Sequence, residues 1–223
     1  MRPGVGGYVA GRVGDPFVIL RTLATIVLAA LLGLDLALPA TPLGRRGSEM
    51  RVRQDVASEL ELGQTLPPFE LLSLDGRRVV REDLVGSPLL LVFERSIDWC
   101  PFTKMRLLEL REAFAGTPDL RIAWVMSDAQ INARTRAFVG ELGLASDVLF
   151  LADPKSRLIR KLGLLKQDPE PIETGVPYPT TLLLDPAGRI RFSDIRIDYH
   201  RWLDPGAIEP APATLGGAVA APN

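Results

Sequence analysis

Short apolar runs alternate with segments of helical periodicity along the middle of the chain. Leu89–Phe93 is a continuous apolar run of strand length, which is typical of a strand buried on both faces. Pro101–Phe114 then places apolar residues at near-helical spacing, and Gly116 and Pro118 end the pattern. The same order recurs twice, as a strand at Leu120–Met126 and a helix at Ala133–Leu142, then a strand at Val148–Leu151 and a helix at Ser156–Leu162. This alternation predicts βαβ units around a sheet with parallel strands.

Turn signals predict antiparallel hairpins at both ends of this region. Asp75-Gly76 separates two apolar runs, the first of which is Leu62–Leu74. Near the other end, Thr180–Leu184 and Arg189–Ile195 flank the turn Asp185–Gly188. The pattern therefore predicts an α/β fold with a central mixed sheet.

The amino-terminal region has the composition of a targeting segment. From Phe17 to Ala40 only Arg21 and Asp35 interrupt an apolar sequence, and Thr22–Leu34 has the length of a signal-peptide core. We expect residues 1–46 to be a signal peptide or membrane anchor with its connector, with membrane attachment through residues 17–40. This predicts a location in the cell envelope, or in the cytoplasm if the start codon is placed too early.

The rest of the chain divides by composition. A polar stretch predicts a linker over residues 47–59, and the periodic segments predict one domain over residues 60–204. Residues 205–223 are rich in Pro, Ala and Gly with almost no charge, which predicts a disordered tail.

Charge and cysteine count exclude several functions. Lys and Arg total 26 against 27 Asp and Glu, and the absence of a basic stripe argues against nucleic acid as a partner. One cysteine cannot close an intramolecular disulfide, and with one histidine it leaves little for a metal centre, so we expect neither metal nor cofactor. Any thiol chemistry must therefore take its second sulfur from another molecule.

The single cysteine, Cys100, lies between the buried strand and the helix that follows it. The start of a helix stabilises negative charge and thus a thiolate, and Pro101 suits the first helical turn. Arg95 and Lys104 are expected to add electrostatic support. The alternative is an inert buried cysteine, the common fate of a lone thiol.

The motif Trp99–Thr103, Trp-Cys-Pro-Phe-Thr after a buried strand, together with Tyr178–Thr180 at the start of a later strand, resembles the thioredoxin-fold superfamily. The longer frame of Gly63–Phe69, Asp75-Gly76 and Leu89–Phe93 is similar to the redoxin branch of alkyl hydroperoxide reductase and thiol-specific antioxidant (AhpC/TSA) proteins. The resemblance extends roughly from Leu60 to Leu203. It implies a thioredoxin-like three-layer sandwich with Cys100 before the first core helix.

The sequence departs from that family at two places. Dithiol members have a second cysteine where this chain has Thr103, which indicates a monothiol variant; the Thr103 hydroxyl either donates to the Cys100 thiolate or is an ordinary polar group. Peroxidases have a Thr or Ser where Ile97 stands and an Arg near the position of Pro179. Thiol–disulfide exchange therefore ranks above peroxidase activity.

The resemblance also implies a client-binding surface. A cis-proline at Pro179 would expose the backbone of Tyr178 to an extended client, which pairs with it as an added strand. The side chains expected around the sulfur are Trp99, Pro101, Phe102 and Tyr178. Glu94 either relays protons near the thiol or, as we favour, pairs with Arg95 or Lys104. The lone His200 is expected to be a surface or capping group.

Taken together, these features predict a redoxin in which Cys100 attacks a disulfide- or sulfenate-bearing client. An external thiol, glutathione or a dithiol protein, then resolves the mixed disulfide. Two alternatives remain open, a one-cysteine thiol peroxidase with antioxidant activity and a redox-silent thioredoxin-like binding module.

Overall fold

The computed structural model describes residues 16–37, 50–117 and 119–208, and the chain divides into two compact units, Met1–Gly47 and Ser48–Asn223. The described part of the first unit is one helix, α1 (Pro16–Ala37). Within it Pro16–Leu34 has a mean hydropathy of 2.3, so α1 is long and apolar enough to cross a membrane, a property that a signal sequence shares. The predicted connector after Ala37 lies outside the described residues.

The described residues of the second unit form one eight-stranded sheet and three further α-helices. The strands are β1 (Met50–Gln54), β2 (Glu70–Ser73), β3 (Arg78–Val80), β4 (Leu89–Phe93), β5 (Arg121–Ser127), β6 (Val148–Asp153), β7 (Thr180–Leu184) and β8 (Ile190–Ile195). The helices are α2 (Pro101–Phe114), α3 (Ala133–Glu141) and α4 (Arg157–Lys161).

The strand order is β1-β8-β7-β4-β5-β6-β2-β3. Strands β4, β5 and β6 are parallel, β7 and β8 form an antiparallel hairpin beside β4, and the β2–β3 hairpin is antiparallel to β6. The predicted mixed sheet and both predicted hairpins are confirmed.

Strand β4 is buried on both faces, as its apolar run predicts. Leu91 and Phe93 belong to one hydrophobic cluster and Leu90 and Val92 to another, because successive side chains of a strand point to opposite faces. Helix α2 contributes Leu107 to the second cluster. The sheet is thus the middle layer of an α/β sandwich with a core on each face.

Two boundaries differ from the sequence prediction. The expected linker over residues 47–59 contains β1, which pairs in parallel with β8. Met50 and Val52 alternate with Arg51 and Arg53, but two apolar residues do not stand out from the polar composition of the stretch. At the other end, Pro205–Ala207 forms a short 3-10 helix and Ile208 is buried, so the folded body passes residue 204. The rest of the expected tail, residues 209–223, lies outside the described residues.

Helix α4 begins one residue later than predicted, because Lys155 and Ser156 adopt left-handed conformations with φ of 57° and 51°. The buried carboxylate of Asp153 accepts hydrogen bonds from the backbone N–H groups of Leu158 and Ile159. Burial raises the pKa of Asp153, although these hydrogen bonds act in the opposite direction.

Candidate functional site

Cys100 is the N-cap residue of α2, in extended conformation at the carboxyl end of β4. Its backbone N–H donates to the carbonyl of Ser96 (3.3 Å), and its carbonyl accepts from the backbone N–H of Lys104 (3.2 Å). Pro101 occupies the first helical turn, as predicted. The thiol is free, only 2% of the residue is exposed, and its sulfur has no hydrogen-bond partner among the described residues. The thiol is thus at the expected place, the start of α2, but it is covered.

A buried polar cluster lies below the first turns of α2. Thr103 Oγ1 donates to Glu94 Oε2 (3.3 Å), and Glu94 forms an ion pair with Arg106. Arg106 also donates to Thr181 Oγ1 on β7, and all four residues are buried. The prediction that Glu94 pairs with Arg95 or Lys104 is therefore wrong. Glu94 pairs with Arg106, because Arg106 lies on the same buried face of α2 as Thr103, one turn later. The Thr103 hydroxyl contacts Glu94, and no hydrogen bond joins it to Cys100.

Arg95 lies at the start of the loop that joins β4 to α2, and Cys100 lies at the end of this loop. Its Nη2 donates to the carboxylate of Glu173, which also forms an ion pair with Lys166. The guanidinium carbon lies 3.7 Å from the ring centroid of Tyr199 and 4.8 Å from that of Trp99. Burial on its own raises the pKa of Glu173, but the hydrogen bonds from Lys166 and the Glu170 N–H, with the charge of Arg95, outweigh it and lower this pKa. Glu173 is therefore held as a carboxylate.

Lys104 belongs neither to the ion pair of Glu94 and Arg106 nor to the charged group around Glu173. Its Nζ lies 5.1 Å from the ring centroid of Phe138 on α3, and no ion pair of Lys104 is present among the described residues. No described contact joins Lys104 to the Cys100 thiol, so electrostatic support by Lys104 stays a prediction.

Gln130, which the sequence analysis did not single out, ties three loops together. Its side-chain Oε1 accepts from Trp99 Nε1 (3.0 Å), and its Nε2 donates to the carbonyls of Ile172 and Thr174, both at 3.1 Å. Its backbone carbonyl accepts from Ser96 Oγ (3.0 Å). The loop that carries Cys100 is thereby fixed to the loops that follow β5 and precede β7. In the sequence, Gln130 is an ordinary polar residue shortly after a strand, and no local pattern indicates these contacts.

An aromatic segment, Asp198–Trp202, packs on Phe102, two residues after the cysteine; we call this segment the aromatic strap. The Phe102 ring lies 5.9 Å from that of Tyr199, 4.6 Å from that of His200 and 6.2 Å from that of Trp202, centroid to centroid. His200 is exposed, with Nδ1 2.9 Å from Asp198 Oδ1, in agreement with the surface role expected of it. The sequence predicted Phe102 as a surface around the sulfur, but not the strap packed on it.

The peptide bond between Tyr178 and Pro179 is trans, so the expected cis-proline is wrong. A trans bond is the ordinary state of most X–Pro bonds in folded proteins. The backbone N–H of Tyr178 donates to the carbonyl of Leu164 (2.7 Å), and the Tyr178 carbonyl accepts from Thr180 Oγ1 (2.9 Å). Its ring packs against the hydrophobic cluster on the face opposite α2. Tyr178 thus offers no free backbone donor for an added strand.

A metal site finds no support in the part of the chain that the structure describes, where no three His, Cys, Asp or Glu side chains are grouped as ligands. The chemistry available there rests on the thiol of Cys100 and the charged groups around it.

Comparison with known proteins agrees with this architecture. The AhpC/TSA family model matches residues 62–193, which include every strand from β2 to β7 and most of β8. The chain belongs to the AhpC/TSA family. No curated protein matches it.

Solved structures show the same fold at low identity. A thiol peroxidase from Chromobacterium violaceum is 23% identical, with a TM-score of 0.60, over 72% of this chain and 92% of that one. AhpC from Enterococcus faecalis is 21% identical, with a TM-score of 0.59, over 73% and 99%. The thioredoxin-like fold and the redoxin family are therefore established, and family membership supports thiol-dependent redox chemistry in general.

Proposed function

We propose that this AhpC/TSA protein is a thiol-dependent oxidoreductase with Cys100 as its only nucleophile, regenerated by an external thiol. The observation that supports this most is the identity of the residue three positions after Cys100, which is Thr103 and not a second cysteine. Cys100 caps α2, and the group three residues later is a hydroxyl held by the buried carboxylate of Glu94. A hydroxyl does not attack sulfur at neutral pH, so release from a mixed disulfide needs a second molecule.

The exchange has two balanced steps. The Cys100 thiolate attacks one sulfur of a client disulfide, so that a bond from Cys100 to that sulfur forms, the client bond breaks and the other sulfur leaves as a thiolate. An external thiolate, from glutathione or a dithiol protein, then attacks the mixed disulfide. It takes the client sulfur into a new disulfide and returns Cys100 as a thiolate. Trp99 and Phe102 flank the sulfur in sequence and provide apolar contact for the client.

A one-cysteine peroxidase is the second candidate, and one observation favours it. Only 2% of Cys100 is exposed, and a peroxide needs a smaller opening than a protein client. The thiolate would break the O–O bond and become a sulfenic acid while the other oxygen leaves as an alcohol or water. Two external thiols would then reduce the sulfenic acid through a mixed disulfide. Ile97, fully buried in the core, stands where the family's peroxidases have a hydroxyl, so thiol exchange keeps the first rank.

Intact-mass measurement after separate incubation with oxidised glutathione and with hydrogen peroxide tests the proposal, with Cys100→Ser as the control. We expect a long-lived glutathione adduct that the serine variant lacks, and slow peroxide consumption. Rapid peroxide turnover with an added thiol would reverse the order of the two candidates. If neither reagent modifies Cys100, the protein is a redox-silent binding module and both enzyme functions are wrong.

The proposed site of action is the cell envelope, with α1 as signal or anchor. The apolar length of Pro16–Leu34 supports this. Fractionation of cells that produce the full chain, followed by sodium carbonate washing of the membranes, distinguishes an anchor from a cleaved signal. Recovery of full-length protein in the cytoplasmic fraction would contradict both.

A further inference from the structure

We infer that Arg95 forms an anion-binding position beside Cys100 for the carboxylate of a small acidic thiol or disulfide, and that Tyr199 covers this position in the resting protein. The inference deepens the proposed function and rests on it for the role of the ligand. Three features of the structure support it.

The first feature is the unused hydrogen-bonding capacity of Arg95. Its side chain is only 6% exposed, and a single described acceptor, the carboxylate of Glu173, contacts its Nη2. Nε and Nη1 are buried and have no hydrogen-bond partner. Buried donors normally find acceptors, and a guanidinium suits a carboxylate in both charge and geometry. Arg95 therefore has two donors available for an acceptor that the described part of the chain does not supply.

The second feature is the position of Arg95 relative to the thiol. Arg95 follows β4 directly, and its guanidinium stacks on Trp99, the residue before Cys100. The backbone of the same loop turns back at Ser96, whose carbonyl accepts from the N–H of Cys100. A carboxylate at Arg95 would thus bring the sulfur of a short thiol or disulfide close to Cys100.

The third feature is the charge of the surrounding groups. Glu173 contacts two cations, Arg95 and Lys166, and neutralises only one of them. Glu94, the acid next to Arg95 in the chain, forms an ion pair with Arg106, and Asp98 accepts a hydrogen bond from Asn132 Nδ2 (2.8 Å). Neither of these carboxylates forms an ion pair with Arg95 among the described residues, so the shared carboxylate of Glu173 is its one described counter-charge.

Tyr199 of the aromatic strap covers the anion-binding position at Arg95. Its ring stacks on Arg95 at 3.7 Å and packs against Phe102, two residues after Cys100. Displacement of this ring would uncover one face of the guanidinium and part of Phe102, which His200 and Trp202 also contact. The strap is therefore the cover of the ligand position, and no described hydrogen bond holds the Tyr199 hydroxyl in place.

Alkylation of Cys100 by iodoacetate and by iodoacetamide tests the inference on the intact chain. Both reagents join carbon to the Cys100 sulfur and release iodide, but only iodoacetate carries a carboxylate. We expect Arg95→Gln to slow iodoacetate about tenfold, the size of one charge-assisted contact, and to change iodoacetamide by less than about twofold. The control Arg134→Gln removes an exposed arginine and should leave the ratio of the two rates unchanged.

Two further variants keep the test decisive. Arg95→Lys retains a positive charge opposite Glu173 and should lower the same ratio less, which gives the answer even if the glutamine variant unfolds. Tyr199→Leu should speed both reagents at least threefold, while Tyr199→Phe, which keeps the stacked ring, should match the wild type. An unchanged ratio in both Arg95 variants, or equal rates in Tyr199→Leu and the wild type, would overturn the inference. Because alkylation requires no turnover, a failure of the proposed function would appear separately, as a missing glutathione adduct.

Discussion

The hydroxyl of Thr103 donates to Oε2 of Glu94 at 3.3 Å, and Thr103 stands three residues after Cys100, where dithiol redoxins have their second cysteine. Thr103 is on the first turn of α2 and is buried together with Glu94 and Arg106. The residue that distinguishes this chain from a dithiol redoxin is therefore part of the packing between α2 and the sheet.

Replacement of Thr103 by cysteine should convert a persistent adduct into a transient one. The new thiol would stand three residues after Cys100 and would attack the mixed disulfide internally, releasing reduced client. Acid-quenched samples with a disulfide-bonded model protein, separated on non-reducing gels over time, measure the adduct lifetime. Thr103→Ser retains a hydroxyl and should behave as the wild type. Equal lifetimes in the wild type and Thr103→Cys would show that Thr103 does not limit turnover.

The buried ion pair of Glu94 and Arg106 should be costly to break from one side only. Glu94→Gln leaves the Arg106 guanidinium buried without a counter-charge, which we expect to lower the free energy of unfolding by about 3–5 kcal/mol. Urea denaturation at pH 7 measures the change. The double variant Glu94→Gln/Arg106→Met should be less destabilised than the sum of the two single variants. Additive losses would mean that the two side chains do not interact.

Glu173 should make stability depend on pH in the acid range. Its folded-state pKa is lowered from 4.5, so its carboxylate stabilises the fold fully above that value and loses this contribution as the pH falls through the folded-state pKa. The stability difference between the wild type and Glu173→Gln should be constant from pH 7 to about 5.5 and shrink below about 4.5. Urea midpoints at a series of pH values test this. A difference that stays constant down to pH 3 would contradict the assignment.

Gln130 should control access to the thiol through Trp99. Gln130→Ala removes the acceptor of the Trp99 indole N–H and both bonds to the loop of Ile172 and Thr174. We expect a loss of about 1–3 kcal/mol in stability and faster alkylation of Cys100 by iodoacetamide. Gln130→Glu keeps the acceptor for Trp99 and should speed alkylation less. If neither variant changes the rate, the Gln130 contacts do not restrain the loop of Cys100.

Local sequence patterns predicted the elements that position Cys100. Leu89–Phe93 reads as a buried strand and Pro101–Phe114 as a helix with the same bounds as α2, because strand burial and helical periodicity are recorded in adjacent residues. The position of Cys100 at the start of α2 follows from those two elements. The sequence also contained the monothiol motif, since the residue three positions after Cys100 is read directly.

Tertiary structure alone decided which groups surround the thiol. Arg95 and Glu173 are 78 residues apart in the chain, and Arg106 and Thr181 are 75 apart, so no local period relates them. Strand β1 has only two apolar residues in alternation, and its place in the sheet depends on backbone pairing with β8. The strap reaches Phe102 only through the arrangement of the last strand beside α2. The sequence by itself determined most of the elements and the place of the cysteine, whereas the cover of the thiol and the partners of the nearby charged residues depended on contacts between distant segments, which only the folded chain brings together.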